Sequence, residues 1–190
     1  MPPKCLIRIA TYIAVWMGAG FAAPLADEGG MPAVKEDCTE MKNLFEPARV
    51  DEVKERIVCL RQDSERQWGR MNAAQAVAHC AAGFELAMGE RHPPRMLIGR
   101  IIGVIVKPKV MGNDEPLRRN SPTVPGLVVN DDRSLETERK RLCEMVDRFA
   151  AAGPTGCTTH PHSFFGPLTP DEWATLMYKH LDHHLRQFGA

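Results

Sequence analysis

The sequence carries no excess of charge, no Cys-x-x-Cys pair, no apolar run of membrane-spanning length and no alternation of apolar and polar residues. Each absence removes a class. Lys plus Arg and Asp plus Glu both number 24, giving a formal net charge of zero. The basic residues are spread along the chain, so neither nucleic acid nor an anionic membrane is expected as the main partner. The six cysteines, Cys5, Cys38, Cys59, Cys80, Cys143 and Cys157, are widely spaced, which excludes a zinc ribbon or a thioredoxin-type motif. Cys59, Cys80 and Cys143 fall within helical apolar patterns and are expected to act as small core residues. No stretch reaches the roughly 20 apolar residues of a stable membrane span. No strand pattern and no internal repeat is visible. What is present is globular material, 44% hydrophobic and 25% charged, long enough for one domain with a core.

The first forty residues read differently from the rest. Lys4 and Arg8 precede the uncharged stretch Ile9–Ala23, which has the charged start and apolar middle of a signal peptide. Pro24–Glu40 is rich in Gly, Pro and acidic residues, as a linker or a non-native extension would be. Residues 1–40 are thus expected to be a leader and residues 41–190 the folded domain. A start at Met41 implies a cytoplasmic protein, and use of the segment 1–23 implies export.

Helical periodicity dominates the remainder. Val50, Val53, Ile57, Leu60 and Ser64 recur at three- and four-residue steps, predicting a helix from Ala48 to about Gln67. Asn72 is positioned to cap a second, largely apolar helix reaching about Glu90. Met96–Val106 reads as a short buried helix that ends before Pro108. Lys109–Asp132 is a long irregular connection of the kind that covers a site or wanders over the surface. Ser134 caps a helix that stops at Gly153-Pro154. Thr169-Pro170-Asp171-Glu172 supplies a Thr cap, a Pro at the first helical position and a capping-box Glu for the last helix. The fold class expected is all-α, a helical bundle with an extra short apolar helix.

On the last helix the apolar residues Trp173, Leu176, Met177, Leu181 and Phe188 form one stripe, and His180 and His184 fall in its middle. Two imidazoles four residues apart on one face are a ready pair of metal ligands. They also suit complementation of the helix dipole together with Arg186, although that role does not require burial. His183 lies at the edge of the stripe. His92 precedes two prolines and suits a surface loop, and His160 and His162 lie on the connection before the last helix. His79 stands mid-helix among Ala, Val, Gly, Cys and Phe, where an uncompensated imidazole is costly to bury. Residue chemistry makes it the best third ligand, against the alternative of a core histidine with one ordinary hydrogen bond.

His79, the H-x-x-x-H of His180 and His184, and the following Leu185-Arg186-Gln187 resemble the DinB/YfiT-like four-helix-bundle metalloenzymes. Trp68-Gly69-Arg70-Met71, Phe164 to Trp173 and Tyr178 to Phe188 resemble one branch of that superfamily, catalogued as a domain of unknown function. The resemblance covers about Met41 to Ala190. It implies a bundle of DinB/YfiT type with a divalent ion, zinc or nickel, held by His79, His180 and His184. It also implies a thiol-dependent transferase or isomerase, and an ion on three imidazoles, able to activate a bound water or thiol, points to an enzyme of hydrolase or thiol-transferase type. The expected partner is a small-molecule substrate, a low-molecular-weight thiol among the candidates, with a homodimer left open. The alternatives are a non-catalytic bundle stabilised by metal and a metal-free binding protein. Asp182 is directed away from the stripe by the helical wheel, and Arg100 is read either as an anion-binding group or as a solvated one.

Overall fold

A computed structural model describes residues 41–121 and 123–190. The signal-like stretch Ile9–Ala23 and the linker that follows it lie outside the described residues. Five α-helices make up the architecture: α1 (Pro47–Cys59), α2 (Ala73–Ala87), α3 (Leu97–Met111), α4 (Leu135–Ala152) and α5 (Pro170–Gln187). No strand is present among the described residues; a single bridge joins His162 to Gly166. The all-α bundle expected from periodicity is therefore observed. No helix among the described residues is long and apolar enough to cross a membrane.

Four helices form the bundle proper. α2 packs on α4 and α5, and α1 packs on the same two, while α3 meets α5 alone. α2 is buried nearly all round because seven alanines and a glycine let its neighbours approach closely. Its start follows the local signal: the Asn72 side chain accepts from the Gln75 N–H while Gln75 bonds back to the Asn72 N–H. It ends three residues before Glu90, where Gly89 takes a left-handed φ of 76°. α5 opens with the expected Thr169–Glu172 capping box and Pro170, and α4 with Ser134 accepting from the Thr137 N–H. Phe149 of α4 stacks on Phe45 and meets Phe84 of α2 edge-on, closing one end of the core.

Three expectations are corrected. α1 ends at Cys59 rather than near Gln67. The Arg139 guanidinium of α4 donates to the carbonyls of Val58 and Leu60, capping the helix from another element. The Ser64 hydroxyl accepts the Arg61 N–H, diverting the backbone into a turn. Cys59 is accordingly exposed rather than a core residue, whereas Cys80 is buried and Cys143 partly so. The third correction concerns α3, which runs through Pro108 to Met111 and is not buried. Only Gly99 and Gly103 are enclosed, while Leu97, Ile101 and Val104 are 77%, 74% and 71% exposed.

The mounting of α3 explains its position. A Cβ on Gly99 or Gly103 would come within 2.6 and 2.2 Å of the Phe164 carbonyl oxygen, so the two glycines admit the 162–166 turn against the helix backbone. The Met96 N–H donates to the Ser163 carbonyl at 2.9 Å. At the other end Lys179 Nζ, from the buried face of α5, donates to the carbonyls of Val110 and Asn113 at 2.7 and 2.8 Å. That is a cationic cap on carbonyls left open at the helix C-terminus. The first half of α3 is thus seated on the 162–166 turn and its C-terminus is tied to α5, while its large side chains stay mostly exposed.

Candidate metal centre

Three imidazoles from two helices meet where α2 faces α5. The ring centroids of His79, His180 and His184 form a nearly equilateral triangle, with separations of 4.8, 4.9 and 4.9 Å. Their planes stand 75° to 81° apart, so each pair of rings meets edge to face. His180 Nε2 lies 2.9 Å from His79 Nε2, and one nitrogen from each of the three rings lies within 4.8 Å of the others. Metal–nitrogen bonds near 2.0–2.1 Å require neighbouring ligand nitrogens about 3 Å apart. Gly83, one turn after His79, makes the space: a Cβ there would lie 3.1 Å from His180 Nδ1.

Partners behind the rings fix the tautomers. His79 Nδ1 lies 2.8 Å from the Leu127 carbonyl, and His184 Nδ1 lies 2.8 Å from Gln187 Oε1. Both partners only accept, so each Nδ1 carries the proton and each Nε2 presents a lone pair. Gln187 is itself oriented because its Nε2 donates to the Trp68 carbonyl at 2.7 Å. The 2.9 Å approach of His180 Nε2 to His79 Nε2 then has two solutions: His180 donates its own Nε2 proton, or a cation stands between two lone pairs. The chemistry of the donor set suits a divalent ion, with His79 and His180 at ligand spacing and the three nitrogens within 4.8 Å of one another. Burial pushes all three pKa values down. His184 falls to about 3, helped by the nearby His79. His180 lies well below the usual histidine range through burial and then the His79 neighbour. His79 is lowered by burial despite its bond to Leu127. The neutral imidazole so favoured is the form that binds metal.

Other sequence candidates lie elsewhere. Trp68 Nε1 donates to His183 Nε2 at 3.4 Å, and His183 Nδ1 reaches the Leu117 carbonyl at 3.2 Å. His183 thus ties the long connection to α5 and the Trp68 segment. His162 is no loose connector: its Nδ1 accepts the N–H groups of Phe164 and Phe165 at 3.1 and 3.2 Å. Burial lowers its pKa to about 4, with Arg95 nearby adding to the effect. His92 and His160 are exposed and face each other at the surface. Arg100 is exposed and does not line the cavity beside the triad. Asp182 points away from the triad as the wheel requires, yet it is buried, held by Arg56 at 2.9 Å and Arg186 at 2.7 Å. The orienting groups that sequence reasoning missed are the Leu127 carbonyl and Gln187. A backbone carbonyl leaves no mark in a sequence, but Gln187 stands one turn from His184 and was findable.

The triad opens on a cavity of about 960 Å³. α3, α2, α5 and the 117–130 part of the long connection line it. The connection between Lys109 and Asp132 therefore covers the site. No curated protein and no solved structure matches the chain. A family model matches residues 40–190, which takes in the bundle, the covering connection and all three histidines, and the chain belongs to that family, described as a protein of unknown function (DUF1569).

Proposed function

We propose that His79, His180 and His184 hold a divalent ion, zinc or nickel, and that the loaded site is an enzyme of hydrolase or thiol-dependent transferase type acting on a small molecule. The carrying observation is the meeting of three imidazoles from two helices, with one nitrogen of each within 4.8 Å of the others and with Leu127 and Gln187 behind His79 and His184. The resemblance to DinB/YfiT-like metalloenzymes supports the same reading: a helical bundle, one histidine from the second helix and two from the last. Three neutral imidazoles leave the ion its full charge and open positions, and such an ion polarises a carbonyl or favours the deprotonated form of a water or thiol.

The residues of the chain supply the rest. Leu127 and Gln187 hold the imidazole edges, and the connection that carries Leu127 lines the cavity. No carboxylate of the described residues lines the cavity, so none of them is placed there as a general base. The test is metal content of untagged protein against His180→Ala, followed by hydrolase and thiol-transfer screens. About one equivalent in the wild type and a loss of most of it in the variant is expected. Equal, sub-stoichiometric metal in both would end the proposal.

A further inference from the structure

The cavity beside the triad is far more apolar than a site for a polar metabolite needs to be. Ile98, Ile102, Val106 and Val110 of α3 all line it. They follow one another at four-residue steps, so they form a single rail along the helix, about 18 Å long. Leu176 and Met177 of α5 lie on the bundle side. The space lies between the bundle and α3, which is held by the Gly99 and Gly103 contact with Phe164 and by Lys179. Among the described lining residues the only fixed charges are Arg70 and Arg118, and none is Asp or Glu. None of these described residues would neutralise a cationic ligand. A volume of about 960 Å³ matches sites that enclose a whole organic molecule.

We infer that this cavity binds an extended apolar chain carrying a neutral or anionic metal-binding head, with the head at His79, His180 and His184 and the chain along the Ile98–Val110 rail. The inference deepens the proposed function and rests on it for the placement of the head. It narrows the substrate to amphiphiles and disfavours small hydrophilic thiols.

Two measurements separate the inference from the reading beneath it. In the first, untagged protein is loaded with cobalt(II) and titrated with n-alkanethiols from ethanethiol to decanethiol, reading the thiolate-to-cobalt charge-transfer band. Kd is expected to fall about fourfold per methylene, the equivalent of about 0.8 kcal/mol, until the chain fills the rail. 2-Mercaptoethanol should bind no better than ethanethiol. In the second, n-alkanols of the same lengths displace an anilinonaphthalene dye from metal-free protein, and the same slope is expected. Ile102→Asn should flatten both slopes while leaving cobalt stoichiometry unchanged, and Val106→Ser should do the same if Ile102→Asn fails to fold. No chain-length dependence with alkanols overturns the inference whatever the metal content. Cobalt bound without a slope for the thiols overturns it too, because the head is then not at the triad. Failure to bind cobalt together with a slope for alkanols removes the metal function but supports the apolar-chain site.

Discussion

α2 and α3 are both fifteen-residue helices of strongly apolar composition, and the fold treats them in opposite ways. α2 is enclosed on nearly every side; α3 buries only two glycines. The difference lies in shape rather than in hydrophobicity. Alanines make α2 slim enough to sit among the other bundle helices, and the one large polar group it buries, His79, has a partner in Leu127. The β-branched residues of α3 keep it broad, and its glycines fix only one narrow edge against the 162–166 turn. α2 therefore gives a rigid ligand platform, and α3 gives a wall that stands away from it.

The contrast can be broken from either side. Enlarging α2 should have the largest effect. Ala81, fully buried, replaced by Leu is expected to lose about 3 kcal/mol, since there is no room for the added methylenes. Urea denaturation measures this, and an unchanged midpoint would mean α2 is less tightly enclosed than described. Next comes the pin beneath α3. His162 has a folded pKa of about 4, below the roughly 6.5 of an unfolded histidine. Its contribution is fully present above pH 6.5 and is lost as pH falls towards 4, about 3 kcal/mol in all. Stability of metal-free protein should therefore drop over that range, and less steeply in His162→Asn. Parallel curves for the two proteins would remove His162 as the cause.

Smaller effects belong to α3 itself. Gly103→Ala sets a methyl against the Phe164 carbonyl and is expected to cost about 2 kcal/mol. Hydrogen exchange should accelerate across Leu97–Met111 and leave α2 protected. Ile101→Ser, at a position 74% exposed, should shift stability by no more than about 0.5 kcal/mol. A loss several times larger would show that the outer face of α3 is covered in solution.

Local signals were legible in the sequence, and long-range ones were not. The Asn72 cap, the Thr169–Glu172 box and the stop at Gly153 are decided by residues within one turn, and all three appear as expected. The convergence of His79 with His180 and His184 was also legible, because the apolar stripe on α5 directs both imidazoles inward. The end of α1 was not, since it depends on Arg139 arriving from α4. The length of α3 was not either. Pro108 forfeits one backbone bond on an exposed surface, and Lys179 secures the carbonyls beyond it from a different helix. Apolar composition suggested that α3 would be buried, but burial requires a partner with a complementary surface, and composition does not supply one.

The most direct measurement is X-ray absorption at the metal edge of nickel- or zinc-loaded protein, purified without a His tag. Three imidazole nitrogens with bonds near 2.0–2.1 Å are expected in the wild type, with one scatterer fewer or no bound metal in His79→Ala. A spectrum without imidazole scattering, or one unchanged by His79→Ala, would contradict a shared centre between α2 and α5.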